Sequence, residues 1–189
     1  IAQIPQENVV KVGPEVRIEG GDVKPWNDRI FVGYSEDEDF FKFTVSRTNK
    51  EGVEFLKKQF PHRQVHAFQL NKSDDYALDN ALHLDCCFQP IGENQAILYP
   101  GGFKNKADVD FLYDYFGAEN IIEINQEEMY YMYSNIFSIA PDVIVSCESF
   151  TRLNNELENR GYTVEKIKYM EIAKMEGLLR CSTMPILRD

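Results

Sequence analysis

Residues 135–146 read Asn-Ile-Phe-Ser-Ile-Ala-Pro-Asp-Val-Ile-Val-Ser, two apolar runs separated by the turn signal Pro141-Asp142. Short apolar and β-branched runs on either side of a turn are typical of paired strands. Residues 150–160 have the apolar spacing of an amphipathic helix, and Gly161 follows as a helix C-terminal signal. Residues 162–167 then alternate as a strand. This stretch therefore predicts a unit of two strands, a helix and a third strand.

The same order of elements occurs in two upstream copies that share little sequence identity. In the middle copy the predicted elements cover 82–88, 95–99, 107–116 and 120–124. In the first copy they cover 16–18, 29–33, about 50–60 and 64–68. A final strand is predicted around 179–184. Such units cannot bury their apolar faces alone, so they stack or close around an axis.

The composition is that of one domain over residues 1–189. Thirty-one acidic and twenty basic residues give a net charge of −11, which argues against a nucleic-acid partner. No apolar run approaches the roughly 20 residues of a membrane helix, and no signal peptide is visible at the N-terminus. We therefore expect a cytoplasmic protein, and a homo-oligomer is compatible with the sequence. The acidic run Glu36–Asp39 is expected to form a surface loop, with a substrate lid as the alternative.

The four cysteines are Cys86, Cys87, Cys147 and Cys181. Two disulfides are one interpretation of the even count, but in a chain of this size without a secretory signal we expect reduced thiols. Adjacent cysteines without a second closely spaced pair do not match the usual zinc patterns.

A thiol, an imidazole and two carboxylates lie in three distant segments. These are Cys181 in Arg180-Cys181-Ser182, His83 in His83-Leu84-Asp85, and Glu19 and Asp22 in Glu19-Gly20-Gly21-Asp22. Nucleophile and base in such sites are adjacent in space and not in sequence, so this set is a candidate Cys-His-acid catalytic site. An inert buried Cys181 and a purely structural Glu19 turn are the plainer alternatives.

The ordered segments resemble the guanidino-group-modifying enzymes, which include arginine and agmatine deiminases, dimethylarginine dimethylaminohydrolases and glycine amidinotransferases. The resemblance covers essentially the whole chain and is closest to bacterial amidinotransferase or arginine-deiminase-related proteins. Its landmarks are Glu19–Val23, Ser46–Asn49, His83–Asp85, Ser134–Ile136 and Arg180–Pro185. It implies an α/β propeller of five ββαβ units, a pentein, of which this chain matches the C-terminal three. The N-terminal part of the domain is accordingly expected to be missing.

The resemblance implies a role for each catalytic candidate and requires neither a metal nor an organic cofactor. Cys181 would attack the central carbon of a guanidino or ureido group, and His83 would transfer protons to the leaving amine and from water. Glu19 would orient His83 and favour its charged form.

Four further residues are predicted to bind the substrate. Asp85 would bind the guanidinium: residues two apart on a strand share a face, so His83 and Asp85 are expected to point into one pocket. An acid at this position is more typical of deiminases and amidinotransferases than of dimethylaminohydrolases. Arg47 resembles the arginine that binds the substrate carboxylate, Asn135 is a lesser candidate, and Asp22 either lines the site or fixes its turn.

Three functions remain open at this stage. The preferred one is hydrolysis of a C–N bond in a guanidino or ureido amino acid. The second is amidino transfer to an amine, which the same residues would serve. The third is a non-catalytic protein that binds an arginine-like ligand. The sequence does not distinguish arginine, agmatine, methylated arginines and citrulline as substrates, and no second guanidinium-binding acid is found upstream of Glu19.

Overall fold

The computed structural model describes residues 4–175 and 177–183, which form a mixed α/β fold with three small sheets. The first unit consists of β1 (Val23–Trp26), β2 (Arg29–Tyr34), α1 (Asp37–Lys42), α2 (Lys50–Gln59) and β3 (Gln64–Gln69). The second consists of α3 (Leu84–Cys87), β4 (Phe88–Ile91), β5 (Gln95–Leu98), α4 (Lys106–Phe116) and β6 (Ile121–Glu123). After α5 (Gln126–Tyr130), the third unit contains β7 (Phe137–Ala140), β8 (Val143–Cys147), α6 (Thr151–Asn159) and β9 (Thr163–Ile167), followed by α7 (Met170–Ala173).

Each sheet has the same topology. Its first two strands pair antiparallel, and the strand that follows the helix pairs parallel with the second strand. A parallel pair needs a long crossover connection, which α2, α4 and α6 provide. The predicted unit of two strands, a helix and a third strand is thus confirmed in all three copies.

The units are joined by shared apolar packing. Phe31 of β2 contacts Phe88 of β4 with ring centroids 5.3 Å apart, and also packs against Phe116 of α4. Leu153 and Leu157 of α6 belong to the same buried cluster. Burial of such side chains stabilises the fold by about 1.5–3 kcal/mol each. The core is therefore continuous across the three sheets.

The predicted strand over 82–88 is wrong, because Leu84–Cys87 forms the short helix α3. The backbone N–H of Leu84 donates to the carboxylate of Asp22 at 2.9 Å, and the N–H of Cys86 donates to the carbonyl of His83. These donors are satisfied without a partner strand, so the backbone turns here and the first strand of the unit begins only at Phe88.

Three further predictions are corrected. Residues 16–18 do not form a strand, because Arg17 exchanges its backbone bonds with Asn49 rather than with a neighbouring strand. Residues 179–182 form turns instead of a final strand, and Met184 lies outside the described residues. The run Glu36–Asp39 is not a loop: Glu36 caps α1, and Asp39 is buried and paired with Lys104 at 2.6 Å.

None of the helices in the described part of the chain combines the length and the apolar character needed to cross a membrane.

Candidate active site

A single cavity of about 1250 Å³ brings the distant chemical groups together. Its walls come from the segment before β1, from β1 itself, from the start of α3, from β4 and β7 with the turns that follow them, and from the turn at residues 179–182. The ionisable side chains that line it are Glu19, Lys24, His83, Asp85, Arg180 and Cys181. Four of these six were singled out from the sequence as site residues, whereas Lys24 and Arg180 were not.

His83 and Glu19 form a close pair at this cavity. His83 Nε2 lies 2.5 Å from Glu19 Oε2, and Arg47 donates to the other carboxylate oxygen at 3.3 Å. Partial burial acts to raise the pKa of Glu19, but the hydrogen bond and charge of His83, together with Arg47, outweigh it and hold the pKa below its usual value. Glu19 is therefore an anion that fixes the orientation of the imidazole.

Gly21 allows this approach. A Cβ atom at that position would lie 2.9 Å from the imidazole Cγ and Nδ1 of His83, closer than real Cβ contacts occur. The absence of a side chain in the Gly20-Gly21 turn is thus a requirement for the position of His83. Gly21 therefore serves two purposes: it permits the turn that the sequence indicates, and it leaves room for the imidazole of His83.

Asn135 holds the segment that carries Cys181. Its buried amide donates to Cys181 Sγ at 3.0 Å, and its Oδ1 accepts from the backbone N–H of Arg180 at 2.9 Å. The same oxygen accepts from the N–H of Cys181 at 3.3 Å. Asn135 therefore contacts the sulfur directly and fixes its backbone, while substrate binding by Asn135 stays a prediction.

The pKa of the Cys181 thiol is raised. Desolvation of the sulfur by the cavity wall and the nearby charge of Asp85 raise it, whereas hydrogen bonding and Lys24 act in the opposite direction. Cys181 is nevertheless the exposed cysteine, and Cys86, Cys87 and Cys147 are buried. All four are free thiols, as predicted; burial raises the pKa of Cys86 to about 12 and also raises that of Cys87.

Asp85 lies between the other groups. It is 1 % exposed, and its Oδ2 is 3.8 Å from Cys181 Sγ and 3.5 Å from Lys24 Nζ. Its backbone carbonyl accepts from the hydroxyl of Ser134 at 2.8 Å, which anchors α3 to the third unit. Asp85 and His83 do line one pocket, but Asp85 lies in the first turn of α3 and His83 is the N-cap residue before it, so they are not alternate residues of a strand.

Lys24 is the lining residue that sequence reasoning missed. It is 2 % exposed on β1, and burial lowers the pKa of its ammonium group, while the charge of Asp85 acts to raise it. A lysine next to Pro25 gives no local sign of burial, since a lysine in a short strand ordinarily faces solvent. The sequence also predicts the first strand of this unit at 16–18, whereas β1 lies at Val23–Trp26, so the predicted strand does not contain Lys24.

Asp22 and Arg47 lie outside the lining of the cavity. Asp22 is buried, and its two oxygens accept from the Thr48 hydroxyl at 2.6 Å and from the N–H of Leu84. Burial raises the pKa of this carboxyl. The Arg47 side chain is 43 % exposed and paired with Glu19. Neither residue lines the cavity, so their contact with substrate stays a prediction.

Replacement of Asp22 by alanine should lower the free energy of unfolding by about 2–4 kcal/mol, because it leaves the buried N–H of Leu84 and the hydroxyl of Thr48 without an acceptor. Urea unfolding followed by circular dichroism measures the change. The control is Asp28→Ala: its carboxylate is 64 % exposed, and the expected change is within about 0.5 kcal/mol. Equal stability of the two variants would contradict the anchoring role of Asp22.

Within residues 4–175 and 177–183, no group of three His, Cys, Asp or Glu side chains is arranged to hold a metal ion.

Comparison with known proteins identifies the family. The family model described as eukaryotic N,N dimethylarginine dimethylhydrolase matches residues 34–188. This chain belongs to that family. It is thereby a member of the guanidino-group-modifying superfamily, and the resemblance found in the sequence is confirmed.

Two curated relatives extend the comparison. The uncharacterized protein YkgA of Bacillus subtilis (strain 168) is 30 % identical over 174 residues, which cover 92 % of this chain and 54 % of that protein. The arginine deiminase of Streptococcus gordonii (strain Challis) is 26 % identical over 204 residues, which cover 93 % of this chain and 47 % of the enzyme. The chain spans about half the length of the curated relatives it matches.

Solved structures show the same fold. The product-bound N-terminal domain of ArgZ, an arginine dihydrolase from the ornithine-ammonia cycle in cyanobacteria, has a TM-score of 0.75 at 21 % identity and covers 97 % of this chain and 64 % of that one. A dimethylarginine dimethylaminohydrolase has a TM-score of 0.66 at 20 % identity and covers 90 % of this chain and 58 % of that one.

Proposed function

We propose that this protein hydrolyses a C–N bond of a guanidino or ureido amino acid through a covalent intermediate on Cys181. The observation that carries the proposal is the position of Cys181, Asp85 and the His83–Glu19 pair on one cavity, with Sγ 3.8 Å from Asp85 Oδ2. A buried carboxylate next to a thiol suits a substrate whose cationic group must lie against the nucleophile.

The chemistry follows from these positions. Asp85 accepts hydrogen bonds from the guanidinium N–H groups and presents the central carbon to Cys181 Sγ. Cys181 reacts as the thiolate, and its proton passes to solvent. The sulfur forms a bond to that carbon, and the C–N bond breaks as His83 donates a proton to the departing amine. His83 then takes a proton from the water that attacks the same carbon and releases Cys181. Glu19 holds one ring nitrogen, so the other nitrogen serves both transfers.

A cationic substrate also assists formation of the nucleophile. In the unliganded site, desolvation and Asp85 raise the pKa of Cys181, so the neutral thiol is favoured at neutral pH. A guanidinium bound to Asp85 compensates that negative charge and adds a positive charge next to the sulfur, which lowers the pKa of the thiol. The thiolate is then favoured when substrate is present, and Asn135 Nδ2 donates a hydrogen bond to it.

We further propose that the three units are the C-terminal three of a five-unit propeller whose remaining part completes the cavity. The support is the threefold repeat of the ββαβ unit and the extent of the match, about half the length of the curated relatives. An acid from that remaining part would bind the guanidinium from the side opposite Asp85.

An assay of the purified protein, with the remaining part of the proposed propeller present, tests the hydrolysis. We expect ammonia or an alkylamine to be released from one of arginine, agmatine, methylarginine or citrulline, with an equivalent amount of the hydrolysed product. Parallel reactions with added glycine distinguish hydrolysis from amidino transfer, since only transfer yields an amidino-glycine product. If none of these compounds is turned over and none forms an adduct with Cys181, the protein is a ligand-binding relative without catalysis.

A further inference from the structure

Lys24 places a buried cation next to the carboxylate proposed to bind the guanidinium. Its Nζ lies 3.5 Å from Asp85 Oδ2, the same oxygen that is 3.8 Å from Cys181 Sγ. Both side chains are almost completely shielded from solvent, with exposed fractions of 2 % and 1 %. An ammonium group and a substrate guanidinium are therefore directed at one carboxylate.

The ion pair between Lys24 and Asp85 lacks a short, well-directed hydrogen bond. An ammonium group has three N–H donors, yet no described residue accepts a well-directed hydrogen bond from Nζ. A separation of 3.5 Å is longer than the 2.7–2.9 Å of a strong charge-assisted hydrogen bond. A guanidinium that bound Asp85 through two such bonds would make the better contact. A substrate guanidinium can therefore replace Lys24 as the partner of Asp85.

Among the described residues that line the cavity, Glu19 is the other carboxylate, and it is not available to Lys24 or to a substrate guanidinium. Glu19 is engaged by His83 on one oxygen and by Arg47 on the other. Among the described lining residues this leaves Asp85 as the acid that faces Cys181. Arg180 also lies at the cavity and adds to the positive potential at Lys24. Two buried cations on one carboxylate repel each other strongly, so one of them must lose its charge or leave.

We propose that Lys24 is a specificity-determining residue that competes with the substrate guanidinium for Asp85 and gives up its proton when a cationic substrate binds. The inference rests on the proposed function, because it takes Asp85 as the ligand of the guanidinium. Lys24 weakens the binding of cationic head groups and leaves the affinity for neutral ureido groups unchanged. It therefore narrows the difference in affinity between an arginine-like and a citrulline-like ligand.

The test compares two ligands of nearly equal shape, L-arginine with a cationic head group and L-citrulline with a neutral one. Titration calorimetry is carried out on the complete protein, with the remaining part of the proposed propeller present. Cys181→Ser prevents turnover, and position 24 carries Lys24, Lys24→Met or Lys24→Arg. Lys24→Met should bind arginine on the order of tenfold more tightly than the lysine form, since the competing charge is gone, while citrulline affinity changes by less than about twofold.

Lys24→Arg is the matched control that retains the charge. A guanidinium does not lose its proton in proteins, so this variant should bind arginine more weakly than the lysine form. Titrations in phosphate and Tris buffers, which differ in ionisation enthalpy, report the protons released. We expect release on arginine binding to the lysine form and none from either variant. Lys24→Arg keeps the charged pair with Asp85, so its arginine affinity and proton release test the competition even where Lys24→Met folds poorly.

Three outcomes would contradict the inference, and they are distinguishable. Equal arginine affinity and equal proton release with lysine, methionine and arginine at position 24 overturn the competition and leave the proposed function intact. Absence of binding of both ligands to all three proteins overturns the guanidino or ureido ligand class itself, and the competition with it. Weaker arginine binding by Lys24→Met would assign Lys24 to holding the substrate and also contradict the inference.

Discussion

Replacement of Cys181 by serine should lower kcat on the order of 10⁴-fold or more, with the fold unchanged. The hydroxyl is a much weaker nucleophile than the thiolate, and the covalent route depends on that atom. Steady-state rates with the substrate found in the assay measure the loss. Intact mass spectrometry of the quenched reaction checks its cause: an adduct should accumulate on the parent protein and be absent from Cys181→Ser.

Cys86→Ala and Cys87→Ala are the controls for this prediction. Both cysteines are buried, and burial raises the pKa of each thiol, so neither supplies a thiolate at neutral pH. Each variant loses some packing, so its activity is compared after correction for the folded fraction. Activity close to that of the parent is expected. Loss of turnover through modification at Cys86 or Cys87, with Cys181 intact, would overturn the assignment of the nucleophile.

The parts of the fold that were predictable depend on local patterns. The predicted helix at 107–116 and strand at 143–146 differ by one residue from the observed Lys106–Phe116 and Val143–Cys147. In these elements the apolar spacing and the flanking turn residues agree with the packing that the core imposes. The repeated ββαβ order followed from them.

The parts that failed depend on distant contacts. The N–H of Leu84 is bound by Asp22, which lies 62 residues away in the sequence. No local signal marks such a contact, so the sequence predicts a strand over 82–88, whereas Leu84–Cys87 forms a helix. Propensity is a weak prior, and tertiary contacts override it.

The candidate site was predicted in its members but not in its geometry. Family resemblance selected Cys181, His83, Glu19 and Asp85, and all four line one cavity. Lys24 was missed because the resemblance assigns no role to that position and because its burial arises only when α3 and the Cys181 turn pack against β1. A buried lysine whose ammonium group makes no well-directed hydrogen bond to any described residue becomes visible only in three dimensions.

His83→Ala should lower kcat by about 10²–10⁴-fold, the usual contribution of a positioned acid–base group. Proton transfer is needed twice, once for the departing amine and once for the attacking water. A substrate with a good leaving group needs the first transfer less, so with such a substrate the variant should accumulate the Cys181 adduct that the parent protein hydrolyses. Rapid quenching followed by intact mass measurement detects it.

Glu19→Gln separates proton transfer from orientation. The imidazole remains, but the carboxylate that pairs with it is gone, so the rate should fall by less than in His83→Ala. The exposed His62 provides the control: His62→Ala should retain full activity. If His83→Ala kept the rate of His62→Ala with every substrate that the protein turns over, His83 would not be the proton carrier. The His83–Glu19 pair would then have only a structural role in the wall of the cavity.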